Sequence, residues 1–207
     1  MLKLRSATAI IAIVTVAVSA IAILGGIDYW AVFAGFIPAR ISGVVELAGA
    51  LPVWITPLSA ALVHGGWLHL GINMLMLVFA GSMIERVIGG QGLLFAYVIG
   101  AVVASLSQFV VDPGSPIPMV GASGAISALF GLYALFFGQP KQVTRSQKLN
   151  RWIHVVWLLV AWVALQWMAG YLAGGEGVML ATPAHIGGFI AGLLLQRPLL
   201  LWRYRKA

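Results

Sequence analysis

The feature that most constrains this chain is a succession of apolar stretches, each close to the length needed to cross a bilayer. A transmembrane helix needs about 20 mostly apolar residues. Six stretches qualify: Thr8 to Ile27, Leu68 to Ile84 (following Pro57), Gly92 to Val111, Gly121 to Phe137, Ile153 to Tyr171 and Ala184 to Trp202. Breaks fall between them, at Asp112-Pro113, Gln139-Pro140, the Gly174–Gly177 run and Pro183. Only 8% of residues are charged and 61% are hydrophobic. A soluble domain carries about 25% charged residues, so these apolar side chains must face lipid as well as each other. The expected fold is all-α: a polytopic membrane bundle of six transmembrane helices forming one domain over residues 1–207. Residues 28–56 are too apolar for a solvated linker. With Trp30, Phe33, Phe36 and Trp54 they are expected to lie in the membrane interface, partly helical.

The net charge of +7 is explained by topology. Lys3 and Arg5 precede the first stretch, Arg86 follows the second, Lys141 to Arg151 separate the fourth and fifth, and Arg197 to Lys206 end the chain. An even number of crossings puts all of these on one side and leaves Arg40 on the other. Asp28, Glu46, Asp112 and Glu176 join Arg40, whereas Glu85 stays with the basic side. Positive residues mark the cytoplasmic side, so the chain is expected in an inner membrane with both termini cytoplasmic. A charge so distributed needs no nucleic acid partner; the partner it implies is the lipid bilayer. Lys3 and Arg5 before an apolar run with Ser19-Ala20 also fit a signal peptide, but the run is longer than a usual signal core, which favours a retained helix. With no Cys, disulfides, thiolate metal sites and a cysteine nucleophile are excluded.

Against this background the polar residues inside the stretches stand out. The second carries His64, His69 and Asn73, and His69 and Asn73 are four apart, on one helix face. The fourth opens with Gly121-Ala122-Ser123-Gly124, the sixth with Ala184-His185-Ile186-Gly187-Gly188. The second, fourth and sixth stretches all start on the outer side, so Ser123, His185, His69 and Asn73 are expected in one shallow layer. These are the parts of acyl transfer. Ser123 needs a base to take its proton, and His185 can be that base. The backbone N–H of Ser123, at a helix start, with the His69 and Asn73 side chains, can stabilise an oxyanion. No acid lies at this depth to orient His185, so the arrangement would be a dyad. Gly124 and Gly188 would let the fourth and sixth helices approach, and Gly188 and Gly192 form a small-xxx-small pair.

Each piece has a plainer explanation taken alone. Gly-Ala-Ser-Gly serves as a packing face, Asn as interhelical glue, and His64 or His154 as interfacial residues. Glu85-Arg86 is most simply an edge charge pair that stops the second helix. Convergence from three helices favours chemistry. A metal site is not expected, because His64, His69 and His185 have no carboxylate or thiolate companion and His64 and His69 lack same-face spacing. No cofactor is called for.

With these residues the chain resembles the rhomboid family of intramembrane serine proteases in its six-span bacterial form. The match lies in His64–Asn73 (H-x4-H-x3-N), Gly121–Gly124 (GxSG) and Ala184–Gly188 (AH-x2-G). The resemblance implies that Ser123 is the nucleophile and His185 the general base. It puts His69 and Asn73 at oxyanion-stabilising positions, Gly121 before the nucleophile's turn and His64 at the outer edge. It implies single-span membrane proteins as substrates, cut near the outer face, with lateral access controlled by the fifth helix and residues 171–183. Two positions depart from the pattern. A Trp-Arg pair common in the first loop is Trp54-Ile55 here. An aromatic residue four after the nucleophile, which stacks on the catalytic His, is Ser127 here. The rival functions are a client-binding relative that does not cut, which typically lacks the Ser or the His, and a small transporter, which would show repeats or broken helices in matching halves.

Overall fold

A computed structural model describes residues 6–172 and 181–205. Lys3, Arg5 and Lys206 lie outside the described residues, as does 173–180, most of the loop expected to control access. Among the described residues every regular element is helical, apart from one isolated antiparallel bridge between Phe36 and Met119. In chain order they are α1 (Ala7–Leu24), α2 (Ile27–Ala34), α3 (Pro38–Ile41), α4 (Thr56–Ser59), α5 (Trp67–Met76), α6 (Ser82–Val111), α7 (Ser123–Phe136), α8 (Gln147–Leu172) and α9 (Thr182–Arg203). A π-helical turn, Leu77–Gly81, joins α5 to α6 without a break.

Among the described residues, four helical segments are long and apolar enough to cross a membrane: Ala7–Leu24, Trp67–Val111, Gln147–Met168 and Thr182–Arg203. The fold is thus an all-α multi-pass membrane bundle. The expected second and third crossings share the 45-residue segment Trp67–Val111. Its continuity is broken at Gly89, where φ of 76° and ψ of 167° leave helical geometry. That backbone is open to Gly because no Cβ meets the carbonyl. Contacts show the chain turning back there. Glu85, before the break, holds the start of α1 at Ala7 and Thr8. Beyond Val111, Ser42 donates to the Pro113 carbonyl and Ala39 N–H to Ser115, in the loop at the other end of α1.

Glu85 is not half of a charge pair with Arg86. Its carboxylate accepts from the N–H groups of Ala7 (2.7 Å) and Thr8 (3.0 Å) and from the Thr8 hydroxyl (2.6 Å). It therefore satisfies first-turn donors that α1 cannot satisfy itself and sets a negative charge at the positive end of that helix. Arg86 Nε donates to the Ser82 carbonyl of its own helix.

The core is built where α7 lies between α6 and α9, around Leu93, Ala96, Ile126, Leu129 and Leu132. Close approach there depends on small residues. A Cβ at Gly188 would run into the Gly124 carbonyl, one at Gly192 into the Ala128 carbonyl, and one at Gly131 into the Phe189 carbonyl. Gly124 itself turns toward α6, where its Cβ would fall 2.6 Å from that of Ala104. The expected Gly124–Gly188 packing pair is therefore a backbone carbonyl against a glycine, with Gly124 serving a second neighbour. Helix α7 has 14 residues. At 1.5 Å per residue it is about 21 Å long, short of a hydrocarbon core of about 30 Å. Its first residue, Ser123, is level with His185, the fourth residue of α9, rather than with the start of that helix.

The loop between α1 and α5 is tied down by its backbone. Arg40 Nη2 donates to the Leu51 carbonyl, Leu51 N–H to Phe33 and Ser59 Oγ to the Ala34 carbonyl. Phe36 and Met119 exchange N–H···O bonds of 3.0 and 2.8 Å, and Gly121 N–H donates to the Ala60 carbonyl at 2.8 Å. The segment leading into α7 is thus stitched to this loop. Trp54 makes no such anchor and is exposed.

Candidate active site

Ser123 is the first residue of α7 and His185 lies in the first turn of α9. The packing of α7 on α9 through Gly188 brings Ser123 Oγ to 2.8 Å from His185 Nε2. Both are buried, at 8% and 4% exposure. For Nε2 to accept the serine proton the imidazole must carry its own proton on Nδ1. That atom is buried with no hydrogen-bond partner among the described residues. Among the described residues no carboxylate hydrogen-bonds to His185.

Gly121, two residues before Ser123, has φ of 118°, a conformation glycine adopts without steric cost. It also touches the α5 polar residues. A Cβ there would sit 2.7 Å from His69 Cε1, 2.8 Å from His69 Nε2 and 3.6 Å from Asn73 Nδ2. His69 and Asn73 therefore face the segment that leads into Ser123. Both amide atoms of Asn73 are buried without a partner among the described residues. An unsatisfied buried amide costs about 1–3 kcal/mol, and such a group belongs where a ligand completes it. Near it lie the first-turn N–H groups of α7, which have no intrahelical acceptor. Together they offer donors to negative charge developing beside Ser123.

His64 is fully buried, between α1 and the segment before α7. Its Nδ1 lies 2.8 Å from Ser19 Oγ, while Ser19 donates its hydroxyl to the Leu62 carbonyl at 2.7 Å. The serine proton being used there, Nδ1 must be the donor and Nε2 the acceptor. Nε2 accepts from the Ala122 N–H at 3.3 Å. His64 thus has no donor left for an oxyanion. It holds Ala122, the residue before Ser123, and Ser19 fixes its tautomer. The ring of His69 meets it edge-on, centroids 5.0 Å apart.

At Ser127, where the family pattern often has an aromatic residue, the hydroxyl donates to the Ser123 carbonyl (2.7 Å) and accepts from Trp162 Nε1–H (2.6 Å). Trp162 of α8 also stacks on Phe130, centroids 4.4 Å apart. The site is therefore braced by a tryptophan from α8 acting one turn below the nucleophile. Ser19, Trp162 and Gln166 are buried polar contributors that pattern reading passed over. Ser19 hid among small residues, and Gln166 was a lone amide in the apolar stretch Ile153–Tyr171.

Comparison with known proteins shows the family. The rhomboid domain model matches residues 52–202. The chain belongs to the rhomboid family. The matched rhomboid region begins in the loop after α3 and takes in α4 through nearly all of α9. Among similar curated proteins, RHOMBOID-like protein 5 of Arabidopsis thaliana is 31% identical over 146 residues, covering 70% of this chain and 43% of the relative. Rhomboid protease GluP of Bacillus subtilis (strain 168) is 36% identical over 78 residues, 38% of this chain and 15% of GluP. Rhomboid-related protein 2 of Mus musculus is 37% identical over 76 residues, 37% of this chain and 24% of the relative. The chain thus spans less than half the length of each of these relatives.

Proposed function

We propose that this rhomboid is an intramembrane serine endopeptidase that cuts single-span membrane proteins near the outer membrane face. The observation that carries the proposal is the 2.8 Å contact between Ser123 Oγ and His185 Nε2, held between two glycine-packed helices. Names of relatives such as rhomboid protease GluP support the same activity.

In this mechanism His185 Nε2 takes the Ser123 proton as Oγ attacks the scissile carbonyl carbon. The negative charge on the carbonyl oxygen is met by the Ser123 N–H, His69 and Asn73. Collapse breaks the C–N bond, and His185 returns the proton to the departing amine. Water then gives its proton to His185 and attacks the acyl-enzyme ester, releasing the carboxyl product and regenerating Ser123. Gly121, Gly124 and Gly188 permit the close approach, and His64 fixes the backbone at Ala122. No metal or cofactor takes part.

The topology we propose has six crossings in one domain over residues 1–207, counting the segment folded at Gly89 as two and the short α7 as one. Arg86, Arg203 and the 141–151 segment lie at one end of the bundle, and Arg40 at the other. This supports cytoplasmic termini in an inner membrane, with the site toward the outer face. The test is cleavage of a model single-span substrate in liposomes. Wild type is expected to cut and Ser123→Ala to be inert; equal cutting by Ser123→Ala would overturn the mechanism. Labelling of Ser123 by a fluorophosphonate separates this reading from a client-binding rhomboid that does not cut.

A further inference from the structure

Helix α8 turns most of its side chains away from the protein, yet Gln166 is only 3% exposed. Its amide nitrogen is completely buried and has no hydrogen-bond partner among the described residues. Two contacts fix its level. Trp162, one turn before it, donates to Ser127. Trp167, the next residue, donates through Nε1 to Thr182 Oγ1 at 3.1 Å, at the start of α9. Helices α7 and α8 run antiparallel, since Arg151 near the start of α8 reaches the Leu135 carbonyl near the end of α7. One turn forward on α8 therefore corresponds to one turn back on α7. Gln166 shares the face of Trp162, and its register partner is Ser123, as Ser127 is that of Trp162. The amide lies in the layer of the Ser123–His185 pair, and α5, which carries Asn73, packs against both α7 and α8.

We infer that Gln166 is a substrate-binding residue whose carboxamide hydrogen-bonds the peptide backbone of the substrate beside the scissile bond. The inference rests on the endopeptidase reading. An extended peptide strand presents both N–H and C=O groups, and a carboxamide both donates and accepts. A buried amide left unpaired is destabilising, so its presence in the apolar second half of α8, at this level, points to a partner that arrives with the substrate. The burial, the missing partner and the register agree on one chemistry: recognition of main chain rather than of a particular side chain.

The test uses the full chain in micelles with Gln166→Met, which keeps the length and removes both polar atoms. Three quantities are measured: kcat/KM on a single-span substrate, inhibition by a peptide aldehyde that occupies several subsites, and the rate of Ser123 labelling by a small fluorophosphonate. The substitution is expected to lower kcat/KM and aldehyde affinity about tenfold, the scale of one buried hydrogen bond. Fluorophosphonate labelling should be unchanged, because that probe has no peptide strand. Unfolding in denaturant should come no earlier than for wild type. Unchanged cleavage and inhibition would overturn the inference. So would an equal fall in labelling or earlier unfolding, either of which would make Gln166 a structural prop. Failure of the endopeptidase reading is seen separately, as wild-type protein that neither cuts nor labels.

Discussion

Substitution of Gly121 by alanine tests the oxyanion side of the site through the backbone. The new Cβ would fall 2.7 Å from His69 Cε1 and 2.8 Å from Nε2, at a residue whose φ is 118°. Holding an alanine in that conformation costs about 1–3 kcal/mol. Overpacking against the imidazole adds about 1–3 kcal/mol if nothing moves. His69 is a side chain and the backbone at Gly121 is tied to Ala60, so the imidazole is the part that yields. The expected result is a protein that folds, is less stable by about 2–4 kcal/mol, and has lost one oxyanion contact. Loss of such a donor lowers kcat about 10²–10³-fold. Cleavage of a single-span substrate in liposomes reads the second effect, and denaturant unfolding in mixed micelles reads the first. His69→Ala in the Gly121→Ala background should then add little, because the two changes remove the same contact. Wild-type cleavage by folded Gly121→Ala would refute the placement of His69 at the oxyanion.

Four other expectations follow from the contacts. His64→Leu leaves the Ala122 N–H without its acceptor and should slow fluorophosphonate labelling about tenfold, in line with about 1–3 kcal/mol for an orphaned donor; Ser19→Ala should do less. Gly188→Leu would force α9 off the Gly124 carbonyl and break the Ser123–His185 contact, so labelling should vanish although every reacting group remains. Trp162→Phe keeps the stacking on Phe130 but removes the bond to Ser127, with an expected loss of about 0.5–1.5 kcal/mol in unfolding free energy. Glu85→Gln should cost about 0.5–2 kcal/mol of stability, the range for a helix cap, and leave kcat/KM for cleavage unchanged.

Much of the architecture could be read from apolar length and from where polar residues interrupt it. The helices at Ala7–Leu24 and Thr182–Arg203 follow from hydrophobic runs bounded by glycine, proline and charge, and the family followed from three motifs. What escaped were the partners of individual polar atoms. Glu85 looks like an edge charge because nothing local reveals that it caps a helix 77 or 78 residues earlier in the chain. Ser127 looks like a gap in the family pattern, and only folding shows Trp162 reaching it. His64 could be placed near a membrane surface by hydropathy, but its inward orientation depends on Ser19, 45 residues away. Periodicity locates the face of a helix; it carries no information on which distant atom that face will meet. The turn at Gly89 falls in the gap between the second and third apolar stretches, which the charges Glu85 and Arg86 and the run of glycines mark in the sequence.

The bridge between Phe36 and Met119 has a consequence for how this protein can change over generations. The first loop contains no reacting group, so by composition alone it should drift freely. Yet it sets the position of the segment that delivers Ser123. Residues 36–62 and 113–122 are therefore expected to be inherited as a unit. A chimaera that takes one of them from a relative and leaves the other should insert and fold, but present its nucleophile out of register. Exchanging both together should restore it.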